Sequence, residues 1–369
     1  QAQLEPTSDL VAKASALVQS APGDADALLA LAEAALAAHD AVAANKAITQ
    51  RIALLPDDAN SYYLQGRARR MALDAAGAET SLRKALTLAP GQADALSALA
   101  ALLLDTGKYA EADAVYETLA SRGPTMLEGR LGRIDALLGL RRFDDAQVQL
   151  DAVPEAQRNL AAYRMSAASL ALARDKPADA LTLLRPLVDA PTKKPLVLVL
   201  YGDALHAAEQ VNAAAGAYEA ALAIDPELPE ALIGRAEIHL HAERPQDALS
   251  ILETAQKSLP TRLRPPALRA RLLSALGHSY IMRSRRGDDD AARAALREAV
   301  QLSGAAPDTF FWLGESLGGK ITPEAQAAYQ RYLALEPNGK YADRARRALG
   351  PLLSAAPPTP LPSTHRSTP

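Results

Sequence analysis

The sequence predicts an all-α solenoid of stacked helix pairs, and three observations lead there. Apolar residues recur at spacings of three and four, with Gly, Pro and Asp between the segments. Runs of strand type are nearly absent. The one candidate, Leu196-Val197-Leu198-Val199-Leu200, falls within the first helix of a pair. Above all, one set of residues returns at a near-constant step of 34: Tyr201-Gly202, Ala214, Tyr218, Ala221 and Pro226, then Ala248, Leu252, Ala255 and Pro260. A fixed period of this length means units that bury their apolar faces on their neighbours rather than around one core.

The elements follow in order. Asp9 to Ser20 reads as a lone second helix, closed by Pro22, that caps the array. The first full unit begins at Ala25, with Ala44 and Pro56 as anchors. Later units are anchored by Ala78 and Pro90, Ala112 and Pro124, Ala146 after Phe143, Ala180, Ala214 and Pro226, and Ala248 and Pro260. The alanine marks the crossing of the two helices of a unit, where a small side chain lets the backbones approach. Gly66, Ala100, Ala168, Gly202 and Ala236 serve that crossing on the first helix, and Ile134 breaks the rule. The proline ends the second helix. Between the helices, Asp105 to Tyr109 reads as a turn in which Gly107 supplies a left-handed residue and Tyr109 packs back over it.

The period fails in the eighth unit. Leu276-Gly277, Tyr280, Ala292, Leu296 and Ala299 keep its motif. About seven extra residues, including Arg262, Arg264, Pro265 and Pro266, precede its first helix, and about three more fall in the turn from Arg285 to Asp290. The superhelix is expected to change direction there. A ninth unit carries Trp312-Leu313-Gly314, Ala325, Tyr329 and Pro337, and Tyr341 to Leu353 reads as a closing helix. The expected organisation is a regular array over 8–262, an irregular part over 263–353, and a disordered Pro/Ser/Thr tail over 354–369.

Over roughly residues 8 to 353 the pattern resembles the tetratricopeptide repeat family. That repeat carries Trp or Leu, a Leu-Gly pair, Tyr, then Ala, an aromatic or Leu, Ala and Pro. The resemblance implies a right-handed superhelical solenoid of about nine units with capping helices. It also implies protein binding on a concave groove lined by the first helix of each unit. On this register the groove presents Asn60, Tyr63, Arg67 and Arg70, then Asp94 and Ser97, Asp203 and His206, and Glu237 and His241. An arginine pair beside a tyrosine suits a carboxylate or a carbonyl, with the ring against an apolar side chain. An ordinary solvated helix face accounts for the same residues equally well.

The family members that grip chaperone C-termini use Lys and Asn where this chain has Leu29, Glu33, Tyr63 and Arg67, so that pattern is not met. The asparagine ladder for extended peptides is also missing, with Ala30, Leu64, Ala98 and Gly132 in its slots. Arg130, Arg133 and Arg164 fall at usually apolar positions and are expected to snorkel.

Composition narrows the function. The 369 residues carry a net charge of -3 with both signs interspersed, which argues against nucleic acid as a partner. Cysteine is absent, so disulfides, thiolate metal sites and a cysteine nucleophile are excluded. No apolar run reaches the roughly 20 residues that direct membrane insertion requires. His239 and His241 lie two apart, the wrong spacing for a shared helix face, so no metal site is expected. Arg286-Gly287-Asp288 spells an adhesion tripeptide but reads better as a glycine turn followed by helix-capping aspartates. Gly318-Gly319-Lys320 lacks the strand and first glycine of a phosphate loop. With no nucleophile–base set and no cofactor motif, the chain reads as a non-catalytic scaffold for a protein or peptide partner.

Glu324 to Tyr329 and Leu335 to Ala342 resemble the final repeat and cap of bacterial envelope tetratricopeptide proteins, and richness in Ala and Arg with little Lys suits a high-GC bacterium. A periplasmic or envelope-associated scaffold in assembly or export is therefore expected. Lack of cysteine suits a cytoplasmic location as well. The start at Gln1 is read as an upstream segment removed or left out. A signal peptide fits that start, and so does a catalytic domain for which this array is the regulatory or substrate-presenting arm.

Overall fold

The computed structural model describes residues 7–123, 126–191, 193–259, 264–318 and 322–350. The anchors Pro124 and Pro260, Arg262, the Gly319-Lys320 pair and the tail from residue 354 lie outside them. The described residues are all-helical, without strands. Helix α1 (Thr7–Ser20) caps the start, and nine helix pairs follow. They are α2 (Ala25–Ala37) with α3 (Ala41–Leu54), α4 (Ala59–Met71) with α5 (Ala75–Leu88), and α6 (Ala93–Asp105) with α7 (Tyr109–Ala120). Next come α8 (Met126–Gly139) with α9 (Phe143–Asp151), α10 (Ala161–Ala173) with α11 (Pro177–Val188), and α12 (Pro195–Ala207) with α13 (Val211–Leu222). The last are α14 (Pro229–His241) with α15 (Pro245–Ser258), α16 (Pro266–Arg283) with α17 (Asp288–Ala299), and α18 (Pro307–Ser316) with α19 (Pro323–Leu335). Helix α20 (Ala342–Leu349) closes the described chain. Leu196–Leu200 is helical, as its place in the period requires.

Local chemistry sets the boundaries. Asp24, Asp40, Asp58 and Asp74 cap α2 to α5, each accepting a hydrogen bond from a first-turn N–H. Asp58 also ties two helices together. It accepts from the Ser61 backbone N–H at 2.8 Å and the Ser61 hydroxyl at 2.6 Å, and pairs with the buried Arg51 of α3. Burial pushes the Asp58 carboxyl up, but the Ser61 and Arg51 hydrogen bonds outweigh it and hold it below its ordinary value.

The turn inside each unit repeats one geometry. His39, Leu73, Gly107, Arg141, Asp175, Glu209, Glu243 and Ser284 all have positive φ, from 51° to 73°. In each unit up to the seventh, the next residue's N–H returns to a carbonyl five back, as Asp74 does to Arg69 at 2.9 Å. Among the described residues glycine holds this slot at Gly107 and, in the ninth unit, at Gly318 with φ 57°. The buried Tyr109 ring lies against Gly139, where an added Cβ would meet ring carbon Cγ at 2.6 Å.

The helix crossings bear out the small-residue rule. Ala44, Ala78, Ala112, Ala146, Ala180, Ala214, Ala248 and Ala292 are all 0% exposed. A Cβ on Gly66 would sit 2.5 Å from Leu82 Cγ, and one on Gly202 would sit 2.7 Å from Tyr218 Cε1. Where Ile134 fills the crossing, Gly132 makes the room, and the Tyr116 ring fills it.

Contacts divide the chain into two units. The first comprises Gln1–Gly234 with Ala255–Pro266, and the second Arg235–Thr254 with Ala267–Pro369. In the first unit, α2, α4, α6, α8, α10 and α12 contact one another in succession, each also packing on its own second helix. Its cores are small and chained. Tyr63 packs on the cluster around Leu28 and Ile48 and also on the cluster around Leu82 and Leu103. The second unit gathers aromatics instead. Phe311 stacks on Tyr341 with centroids 4.4 Å apart, and Trp312 stacks on His278 at 3.6 Å. Part of the expected insertion is helix, since α16 has 18 residues against 13 in α4. The turn after α16 buries Asp288, whose carboxylate receives the Arg283 guanidinium at 2.6 and 2.9 Å and the Arg285 N–H at 2.8 Å. The Arg283 hydrogen bonds hold that carboxyl down, at about 2. The adhesion-like tripeptide is thus a closed turn with its aspartate inside.

Candidate functional site

The succession of first helices in the first unit forms a continuous surface, and most of the expected groove residues lie on it. The structure separates them by what they already hold. On α4, Arg67 is exposed, and its guanidinium carbon lies 5.6 Å from the centroid of the Tyr63 ring. Tyr63 is half-buried and already packs on two cores. Arg70 reaches along the surface to α6, where its Nη2 lies 2.5 Å and its Nε 3.2 Å from Asp105 Oδ2. Asn60 is half-buried on the same helix.

On α6, Asp94 is exposed and Ser97 half-buried. On α12, Asp203 accepts a 2.8 Å hydrogen bond from the hydroxyl of Tyr218, and His206 is half-buried. The remaining two belong to the second unit. There Glu237 grips Arg271 with both oxygens, Oε1 to Nε at 2.8 Å and Oε2 to Nη2 at 2.6 Å, and His241 is exposed at the end of α14. Arg70, Asp203 and Glu237 therefore serve the packing of the repeats as well as the surface. Arg67 and Asp94 are the more open charges.

Two acidic residues of this surface escaped the sequence reading. Asp135 of α8 is exposed at its edge while surrounding protein crowds it, and that desolvation pushes its carboxyl up. Glu128 is exposed on the same helix. The signal for both was the period. Asp135 shares the slot of Arg67, Asp203 and Glu237, and Glu128 shares that of Asn60 and Asp94. Asp105 was read as a turn residue. Burial, set against the Arg70 charge and its hydrogen bond, leaves its carboxyl above the ordinary value.

The expected snorkelling of Arg133 gives way to pairing. It is half-buried, with Nε 2.7 Å from Asp113 Oδ1 and Nη1 3.1 Å from Glu117 Oε1, both on α7. Arg164 donates to Asn159 Oδ1 at 2.8 Å. Among the described residues no helix is long and apolar enough to cross a membrane.

No curated protein matches the chain in sequence. Among solved structures, a tetratricopeptide repeat protein from Parabacteroides merdae ATCC 43184 is 15% identical, with 80% of this chain and 99% of that chain covered and a TM-score of 0.44. PilW, a type IV pilus biogenesis factor, is 17% identical, with 56% and 96% covered and a TM-score of 0.48. The P58(IPK) tetratricopeptide domain is 18% identical, with 88% and 98% covered and a TM-score of 0.30. One tetratricopeptide repeat model matches residues 71–125, 103–170 and 205–272, and a second matches 165–229. The two together run without a gap from residue 71 to 272, more than half of the sequence, and the chain belongs to the tetratricopeptide repeat family.

Proposed function

We propose that this protein is a non-catalytic scaffold that binds a partner peptide or helix along its first helices, in a bacterial envelope assembly or export system. The tetratricopeptide repeat is in general a protein-interaction fold. The observation that carries the proposal is the unbroken lateral contact from α2 to α12, which gives a partner one long surface. Arg67 and Asp94 are its open charges at recurring slots, and Asp135, whose carboxyl surrounding protein pushes up, shares the slot of Arg67. The envelope setting rests on the sequence of the final repeat and cap.

A photo-crosslinking residue at position 67 tests the binding surface, with one at exposed Thr80 on a second helix as the control. The expected result is a protein adduct specific to position 67 that is lost when Asp135→Arg is added. Adducts that form equally at both positions, or at neither, overturn the reading. Fractionation of cells making the full-length protein tests the setting, and recovery solely in the cytosol removes it.

A further inference from the structure

At Arg264 the chain comes back to its own first unit. The residue lies outside any helix, between α15 and α16. Ala255–Pro266 groups with the first unit, although the preceding Arg235–Thr254 groups with the second. The Arg264 side chain is 15% exposed and pairs with Glu230 in the first turn of α14, itself 21% exposed. Its charge also reaches Asp105, at the end of α6 and four helix pairs earlier. Burial raises the Asp105 carboxyl, and the Arg70 charge and hydrogen bond, then the Arg264 charge, oppose that rise. One arginine thus serves an acid on α14 and lies in the field of another on α6.

This closure is incompletely satisfied. Arg264 Nε and Glu230 Oε2 are both buried without a hydrogen-bond partner. A desolvated donor and acceptor left over weaken an ion pair that burial already makes costly. Arg51 shows the contrast. It donates from Nε to the Ala25 carbonyl at 3.0 Å and from Nη1 to Asp58 and Ser61, so it is a well-engaged staple between repeats. The Arg264 pair holds its segment at small net gain, which is the condition for a contact that opens.

We infer that Arg264 is the bolt of an intramolecular clasp, which joins the start of α14 to the end of α6 through Glu230 and Asp105 and opens when a partner engages the first helices. Closed, the clasp holds the third and seventh pairs together. Open, Arg264 returns to water, and the two walls separate. The gating half rests on the scaffold reading, whereas the closure is a property of the chain alone.

The test uses the full chain, whose lack of cysteine permits spin labels at chosen sites. Exposed Ala110 and Glu227 stand near the two walls, and exposed Thr80 with Ala110 gives a control pair on neighbouring repeats. Electron–electron distance measurement should give one narrow distribution between positions 110 and 227. Arg264→Gln, and separately Asp105→Asn, should lengthen its mean beyond the width of the natural distribution, and Arg264→Lys should keep it short. The distance between positions 80 and 110 should not move. An unchanged distribution in Arg264→Gln overturns the clasp. So does a change that also appears between positions 80 and 110, or that Arg264→Lys shares, since either marks loosened packing. Cross-linking from position 67 should rise several-fold in Arg264→Gln, and an unchanged yield beside lengthened distances overturns the gating. Absence of any adduct at position 67 removes the scaffold reading and leaves the distance result standing.

Discussion

Arg70 and Asp105 join neighbouring repeats by an ion pair along the first helices, with Nη2 2.5 Å from Oδ2. The aspartate is the more buried partner, its side chain 16% exposed against 41% for the arginine. Removing the arginine leaves a desolvated carboxylate without its cation. Arg70→Ala should therefore destabilise the chain by about 1–2 kcal/mol, less than a fully buried pair because water reaches the arginine. Urea unfolding of Arg70→Ala, Asp105→Asn and the double variant gives the coupling directly. Additive effects would show that the pair contributes nothing. Arg67→Glu, by contrast, should leave the midpoint nearly unchanged.

Two glycines in helices should answer alanine with opposite signs. A Cβ on Gly132 would lie 2.2 Å from Cε1 of the buried Tyr116 ring, so the ring would have to shift. Gly132→Ala should cost roughly 1–3 kcal/mol through overpacking. Gly216 of α13 has nothing within 4 Å of an added Cβ. Gly216→Ala should gain about 0.5–1 kcal/mol, the ordinary preference of a helix for alanine. Denaturant midpoints that move in the same direction refute this account.

The turn slot offers engineering of the reverse kind. Leu73 and Glu209 hold left-handed conformations, at φ 63° and 59°, that disfavour their side chains. Leu73→Gly and Glu209→Gly should each raise stability by up to about 1 kcal/mol, while Gly107→Ala should lower it by a similar amount. Thermal midpoints check all three.

These turns also show what a sequence can and cannot disclose. Gly107 declared its left-handed turn because glycine has no Cβ. Leu73, Arg141 and Glu243 adopt the same conformation without a local sign, since the packing of two helices and the carbonyl five residues back impose it. The crossings were legible for the same reason as Gly107: Ala44 and Ala78 are small because nothing larger fits. The surface was less so. Period alone placed Arg67 and Arg70 on one helix. Only coordinates could show that Arg70 already holds Asp105 while Arg67 stays open.

The second unit should answer acid through two opposing groups. Burial, with the Lys340 and Arg344 charges, pushes His278 down to about 4 from an ordinary 6.5. Below pH 6.5 the unfolded chain gains a proton that the folded unit refuses, so stability falls towards pH 4. Burial pushes Asp308 up to about 6 from an ordinary 3.8, so over that interval the folded unit keeps a proton and acid stabilises it. Natural protein should therefore show a shallow response between pH 6.5 and 4. Asp308→Asn should steepen the acid loss, and His278→Gln should flatten or reverse it. Trp312, the sole tryptophan, stacks on His278 and reports the melting of this unit by fluorescence. Identical pH slopes in both variants and the parent would exclude the pair as its source.

Tyr63 serves two cores at once, and Leu183 does the same for the clusters around Leu137 and Leu184. A side chain with two employers cannot be inherited by one half of a cut chain without leaving an aromatic or aliphatic face in water. Shortening, duplication or exchange of repeats is therefore not equally tolerated at every period of this protein. Recombination should succeed at seams that no shared residue crosses, and the breaks at Tyr63 and Leu183 should be the ones that evolution and the engineer alike avoid.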